Sequence, residues 1–108
     1  MKMIQAILRP EKIKQVEDAL KDGGFTSLTE LSVRGRGKQQ GIVIGGMHYD
    51  KLPKECLLLT CKDKDLETVL AIILKAARTG SMGDGKIFVL PVEEVVTIRT
   101  GERGESAL

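Results

Sequence analysis

Aromatic residues are nearly absent from this sequence: two Phe, one Tyr and no Trp. Recognition of unpaired bases needs stacking platforms, which the scattered Phe25, Tyr49 and Phe88 do not supply. A surplus of one charge is missing as well. Seventeen Lys and Arg stand against 15 Asp and Glu, a net +2, far from the basic excess of a nucleic-acid binder. No nucleic-acid partner is expected. Long hydrophobic runs are also lacking. The opening MIQAIL ends at Arg9-Pro10, too short for a signal peptide or a membrane span, so no membrane insertion is expected. The cysteines are two, Cys56 and Cys61, within the strand-like ECLLLTC. Five positions apart on a strand they point to opposite faces, which argues against a mutual disulfide or a shared metal. They read as small apolar residues, and a reducing, cytoplasmic location fits. The one histidine, His48, reads as a solvated loop residue, because a metal site needs several ligands.

What is present is aliphatic. Hydrophobic residues make up 42% and charged residues 30% of 108 positions, enough for one domain, 1–108, with a modest core. A domain this small gains from subunit association. KMIQAIL reads as a strand. Pro10 opens a helix, where its missing N–H does no harm, with Ile13, Val16, Ala19 and Leu20 on one face and Gly23-Gly24 at its end. FTSLTELSVRG follows as an imperfectly alternating strand. ECLLLTC is a buried strand, and DKDLETVLAIILKAARTG a helix. There Leu66, Val69, Leu70, Ile73, Leu74 and Ala77 form one stripe, with Asp63 or Asp65 at its start. A glycine loop, a strand KIFVL, a turn at Pro91 and a further strand VVTIRT precede the polar tail 101–108.

The order βαβ, loop, βαβ predicts an α+β, ferredoxin-like fold: a four-stranded antiparallel sheet with both helices on one face. The other face is then expected to be covered by further copies of the chain. Residues 35–54 carry five glycines (Gly35, Gly37, Gly41, Gly45 and Gly46) and are expected to form an extended, flexible loop. A structureless stretch of that length inside a small domain is usually functional.

Thr79 to Val89, TGSMGDGKIFV, has the G-x-x-x-x-G-K of a P-loop. Its final Ser or Thr is replaced by Ile87, and the order is helix, loop, strand rather than strand, loop, helix. The Walker reading therefore fails. Gly80, Gly83 and Gly85 leave N–H groups able to form an anion nest, and Lys86 adds charge beside them. Gly35-Arg36-Gly37-Lys38-Gln39 repeats the theme, and Arg99 and Arg103 follow near the end. These clusters suggest a polyphosphate site assembled from distant segments, or from two subunits.

TGSMGDGKIF, Thr79 to Phe88, resembles the C-terminal signature of the PII nitrogen-regulatory signal-transduction family. MKMIQAILRPEKIKQVEDAL, GRGKQQG, LPK at 52–54 and IRTGE at 98–102 resemble that family in the same order. The resemblance implies a homotrimer binding ATP or ADP in inter-subunit clefts, with 2-oxoglutarate joining Mg-ATP. By resemblance Gly83, Asp84, Gly85 and Lys86 form the phosphate loop (79–86), with Gly35, Gly37 and Lys38 opposite. Arg99 comes from a neighbouring subunit, and Thr29 lies near the adenine. Gln39 is implied as the magnesium-linked glutamine of the 2-oxoglutarate site, and Lys54 as the partner of that ligand's distal carboxylate. Ser81 and Met82 shape the loop. Lys38 and Thr97 stand where common members carry arginine, which keeps charge at 38 but loses bidentate geometry.

The long loop is about four residues shorter than in the best-known members. Its tip has no arginine, and Tyr49 lies at its descending base, which argues against tyrosine uridylylation and channel plugging. A short, apolar, glycine-rich loop is similar to the nitrogenase-associated subgroup. There two paralogues act together on dinitrogenase and 2-oxoglutarate relieves the inhibition. The implied function is a regulatory sensor, not an enzyme, with Asp84 beside Lys86 supporting at most slow ATP hydrolysis. Its target is nitrogenase or a nitrogen-assimilation protein; the alternatives are ammonium transport and glutamine synthetase. Two readings of another class stand beside it. A small ferredoxin-like phosphatase would need a nucleophile–base pair, and an RNA-binding module would need sheet aromatics; neither feature is apparent.

Overall fold

The computed structural model describes residues 1–37 and 41–108. Strands β1 (Lys2–Leu8), β2 (Thr29–Gly35), β5 (Leu52–Cys61) and β6 (Gly85–Pro91) form one sheet in the order β2-β5-β1-β6. Every neighbouring pair is antiparallel. Helices α1 (Ile13–Asp22) and α2 (Leu66–Ala77) connect them, each entered through a short 3-10 turn, Pro10–Lys12 and Asp63–Asp65. This is the ferredoxin-like arrangement predicted from the element order.

Side chains alternate along a strand, so register assigns the two faces. Ile4 pairs with Leu59 and Ala6 with Leu57. These side chains, with Leu8 and Cys61, pack against Val16 and Leu20 of α1 and Val69, Ile73, Ala76 and Ala77 of α2. Ile4, Val16, Leu20, Leu57, Val69 and Ile73 are fully buried, each contributing about 1.5–3 kcal/mol of transfer free energy. Cys56 is also buried but has the opposite parity to Cys61, as a five-residue separation requires. The helix-free face carries Ile7, Leu31, Leu58, Phe88 and Leu90 by the same register. Of these, Leu31, Phe88 and Leu90 are exposed.

α1 ends as its glycine pair requires. Gly24 adopts φ +92°. Its N–H donates to the Lys21 carbonyl and that of Phe25 to the Leu20 carbonyl, the paired bonds of a Schellman motif. The strand expected from Phe25 begins only at Thr29, because Phe25 and Leu28 turn into the helix-side core instead.

Two expectations change. Residues 35–54 are not one extended loop: Gly35 closes β2, Leu52 opens β5, and a hairpin stands between them. Its strands are β3 (Ile42–Ile44) and β4 (Met47–Tyr49), a two-stranded sheet of their own. Gly45 and Gly46 connect them with φ +57° and +81°, the double positive φ of a type I′ turn, which side-chain-bearing residues resist. VVTIRT is not a strand either. It forms a single bridge, Val96 to Arg103, closing a turn in which Gly101 N–H donates to the Thr97 carbonyl.

Candidate functional site

Register brings Ile7, Lys54, Lys86, Phe88 and Gly35 to one end of the helix-free face. Together with Arg36, Gly37, Met82, Gly83 and Gly85 they line a cleft of about 390 Å³. Its walls are the end of β2 on one side and the 79–86 turn on the other. Six residues singled out from sequence thus meet within a single chain: Gly35, Gly37, Lys54, Gly83, Gly85 and Lys86.

The 79–86 turn is held from below by residues far away in sequence. Arg9 Nε donates to Asp84 Oδ1 at 3.0 Å and Arg9 Nη2 to the Met82 carbonyl at 2.8 Å. Lys54 Nζ donates to the Gly83 carbonyl at 2.6 Å. Gly83 and Gly85 have φ +99°, and Gly85 has a second reason to be glycine. A Cβ there would lie 1.7 Å from the Ile7 carbonyl oxygen, so the turn passes directly against β1.

Asp84 is the anion of the turn. Its carboxylate accepts from the Thr79 hydroxyl, the Thr79 N–H at 2.9 Å, the Gly80 N–H at 3.0 Å and Arg9. The Thr79 bonds, then the Arg9 and Gly80 bonds, hold its pKa well below the usual carboxylate range. Of the glycine N–H groups expected to form an anion nest, that of Gly80, together with the Thr79 N–H, holds the chain's own carboxylate. The Asp84 carboxylate shapes the loop, and such a weak base is poorly suited to activating water.

Lys54 is the buried cation of the cleft, only 9% exposed. Burial first, and the Arg9 charge second, push its pKa down. Its hydrogen-bond partner is a neutral carbonyl, and the Glu11 and Asp84 carboxylates act on it only through space, partly offsetting the burial.

Thr29 and Arg99 are not brought to this cleft within one chain. Thr29 opens β2 and Gly35 closes it, a separation of roughly 20 Å at ordinary strand rise. Arg99 lies in the turn closed by Thr97 and Gly101. The expected roles of Lys38 and Gln39 fall on positions outside the described residues.

Sequence reading missed four contributors. Ile7 and Phe88 were legible only as strand residues. Arg9 had no local signal, because its partner lies 75 positions away. Arg36 belonged to a quoted cluster but received no role; its Nη1 lies 3.0 and 3.2 Å from the two Asp50 carboxylate oxygens.

Comparison with known proteins agrees with this architecture. The family model described as nitrogen regulatory protein P-II matches residues 1–102. The chain is 51% identical over 104 residues to the nitrogen fixation nifHD region GlnB-like protein 1 of Methanothermobacter marburgensis, covering 96% of this chain and 99% of that one. It is 52% identical, with the same coverage, to the corresponding protein of Methanococcus maripaludis. It is 48% identical to nitrogen regulatory protein P-II 2 of Methanothermobacter thermautotrophicus, covering all of this chain and 97% of the relative. A crystal structure of Arabidopsis thaliana PII bound to citrate superposes with a TM-score of 0.84 at 40% identity, over 99% of this chain and 91% of that one. The chain belongs to the P-II family of nitrogen regulatory proteins and is similar to its nitrogen-fixation-region members.

Proposed function

We propose that this protein is a nitrogen and energy sensor that takes ATP or ADP, and 2-oxoglutarate with Mg-ATP, in the cleft between Gly35 and Lys86. The observation that carries the reading is the buried Lys54 ammonium, facing a neutral carbonyl in a cleft lined by glycines, Arg36 and Lys86. Citrate on the Arabidopsis relative supports an affinity for carboxylates. The phosphates would lie along Gly83, Gly85 and Lys86, on the loop shaped by Asp84, with Gly35, Gly37 and Lys38 opposite.

The site is incomplete in one chain, since Thr29 and Arg99 stand away from it. A second copy in a homotrimer, or a paralogue in a mixed one, would supply both and cover the apolar helix-free face. Among the described residues no cluster of acidic, Cys or His side chains could hold a metal ion, and the Asp84 carboxylate is committed to its turn. Magnesium fits here only as a companion of the nucleotide phosphates, with Gln39 as its protein ligand. The output is the 35–54 segment, whose target is proposed to be dinitrogenase because the similar proteins are named for a nitrogen-fixation region.

Calorimetric titration tests the reading. ATP should release binding heat that Lys86→Ala and Arg99→Ala both diminish. Absence of heat at millimolar ATP, with and without 2-oxoglutarate, would overturn it.

A further inference from the structure

Arg36 belongs to two structures at once. It lines the cleft beside Gly35 and Gly37, and it pairs with Asp50, the first residue past the hairpin strand β4. Both contacts come from the single nitrogen Nη1. That is not the two-nitrogen fork that makes arginine–carboxylate pairs strong. Both side chains are also well exposed, where such a pair is easily exchanged. The contrast is Arg9, whose partner Asp84 is held by three further donors.

We propose that Arg36 is an anion-binding residue of the cleft that exchanges partners: a polyanionic ligand, of the nucleoside triphosphate class, and the Asp50 carboxylate compete for its guanidinium. Phosphate oxygens offer the guanidinium a bidentate fit and more charge than one carboxylate. Ligand entry therefore releases Asp50. The base of the hairpin loses its tie to the cleft, and the pose of β3 and β4 changes with occupancy. An isolated two-stranded hairpin has little stability of its own, so its base contacts set its pose. Linkage makes the effect reciprocal: a change that weakens the Arg36–Asp50 pair while leaving the Arg36 guanidinium in place must strengthen ligand binding.

The inference rests on the nucleotide reading above, and the experiment separates the two. Mg-ATP is titrated calorimetrically into the assembled full-length protein and its Asp50→Asn, Arg36→Gln and double variants. Asp50→Asn should bind at least about five-fold more tightly than the unmodified chain, and Arg36→Gln more weakly. In the Arg36→Gln background, Asp50→Asn should change affinity by less than about two-fold, because its effect runs through Arg36. A gain that persists in that background is a general field effect and overturns the exchange, as does an unchanged Asp50→Asn affinity. Either result leaves nucleotide binding standing. No binding by the unmodified chain removes both readings.

Discussion

Arg9 Nε and Asp84 Oδ1 lie 3.0 Å apart and 75 positions apart in sequence. Through this pair the residue following β1 braces the turn that precedes β6, and the cleft takes its shape between them.

The brace has a definite pH signature. The Asp84 carboxyl titrates below its ordinary value, so it stabilises the fold fully above the unfolded aspartate pKa of about 3.9. That contribution is lost as pH falls through the lower folded value. Asp84→Asn should therefore be less stable than the unmodified chain at pH 6, with the gap narrowing toward pH 2. Urea unfolding across that range measures it, and a gap constant with pH would show the charge is not involved.

Gly85→Ala should be far more damaging than Gly80→Ala. Both positions have positive φ, but a Cβ at Gly80 meets nothing within 4 Å, whereas at Gly85 it meets the Ile7 carbonyl. Strain alone at Gly80 costs about 1–2 kcal/mol; at Gly85 the clash adds at least about 1–3 kcal/mol more. Denaturation midpoints of the two variants decide this, and equal midpoints would contradict the close approach.

The hairpin presents Val43, Ile44 and Met47 at 68%, 59% and 63% exposure. A tip this apolar reads as a contact surface. Val43→Ser with Ile44→Ser should leave folding stability within about 0.5 kcal/mol and ATP binding unchanged, while abolishing capture of the target. Pull-down with purified dinitrogenase, alongside thermal denaturation, tests both halves; retained capture would move the contact elsewhere.

Periodicity made the frame legible. Ile73 and Val69 of α2 and Ile4 and Ala6 of β1 repeat at helical and strand spacing, and they form the core. Gly83, Gly85 and Lys86 were legible as one wall of the cleft because they are neighbours in sequence. One local signal was available and underused. Ile42–Ile44 and Met47–Tyr49 flank two glycines, a pattern that specifies a I′ hairpin rather than an open loop. VVTIRT alternates well enough for a strand, yet it forms only one bridge, Val96 to Arg103. The Arg9–Asp84 and Arg36–Asp50 pairs were illegible for a different reason. Which carboxylate meets which guanidinium is decided by the path of the chain, and charge alone does not encode it.

The Gly45–Gly46 turn has a further consequence. With no Cβ at either position, the outermost atoms of the hairpin are peptide N–H and C=O groups, while Val43, Ile44 and Met47 stand behind them. A socket that receives this tip must have apolar walls and a hydrogen-bonding floor, since a buried peptide group without a partner is costly. A purely greasy cavity would reject it, so under the proposed contact that polarity gradient would select among targets.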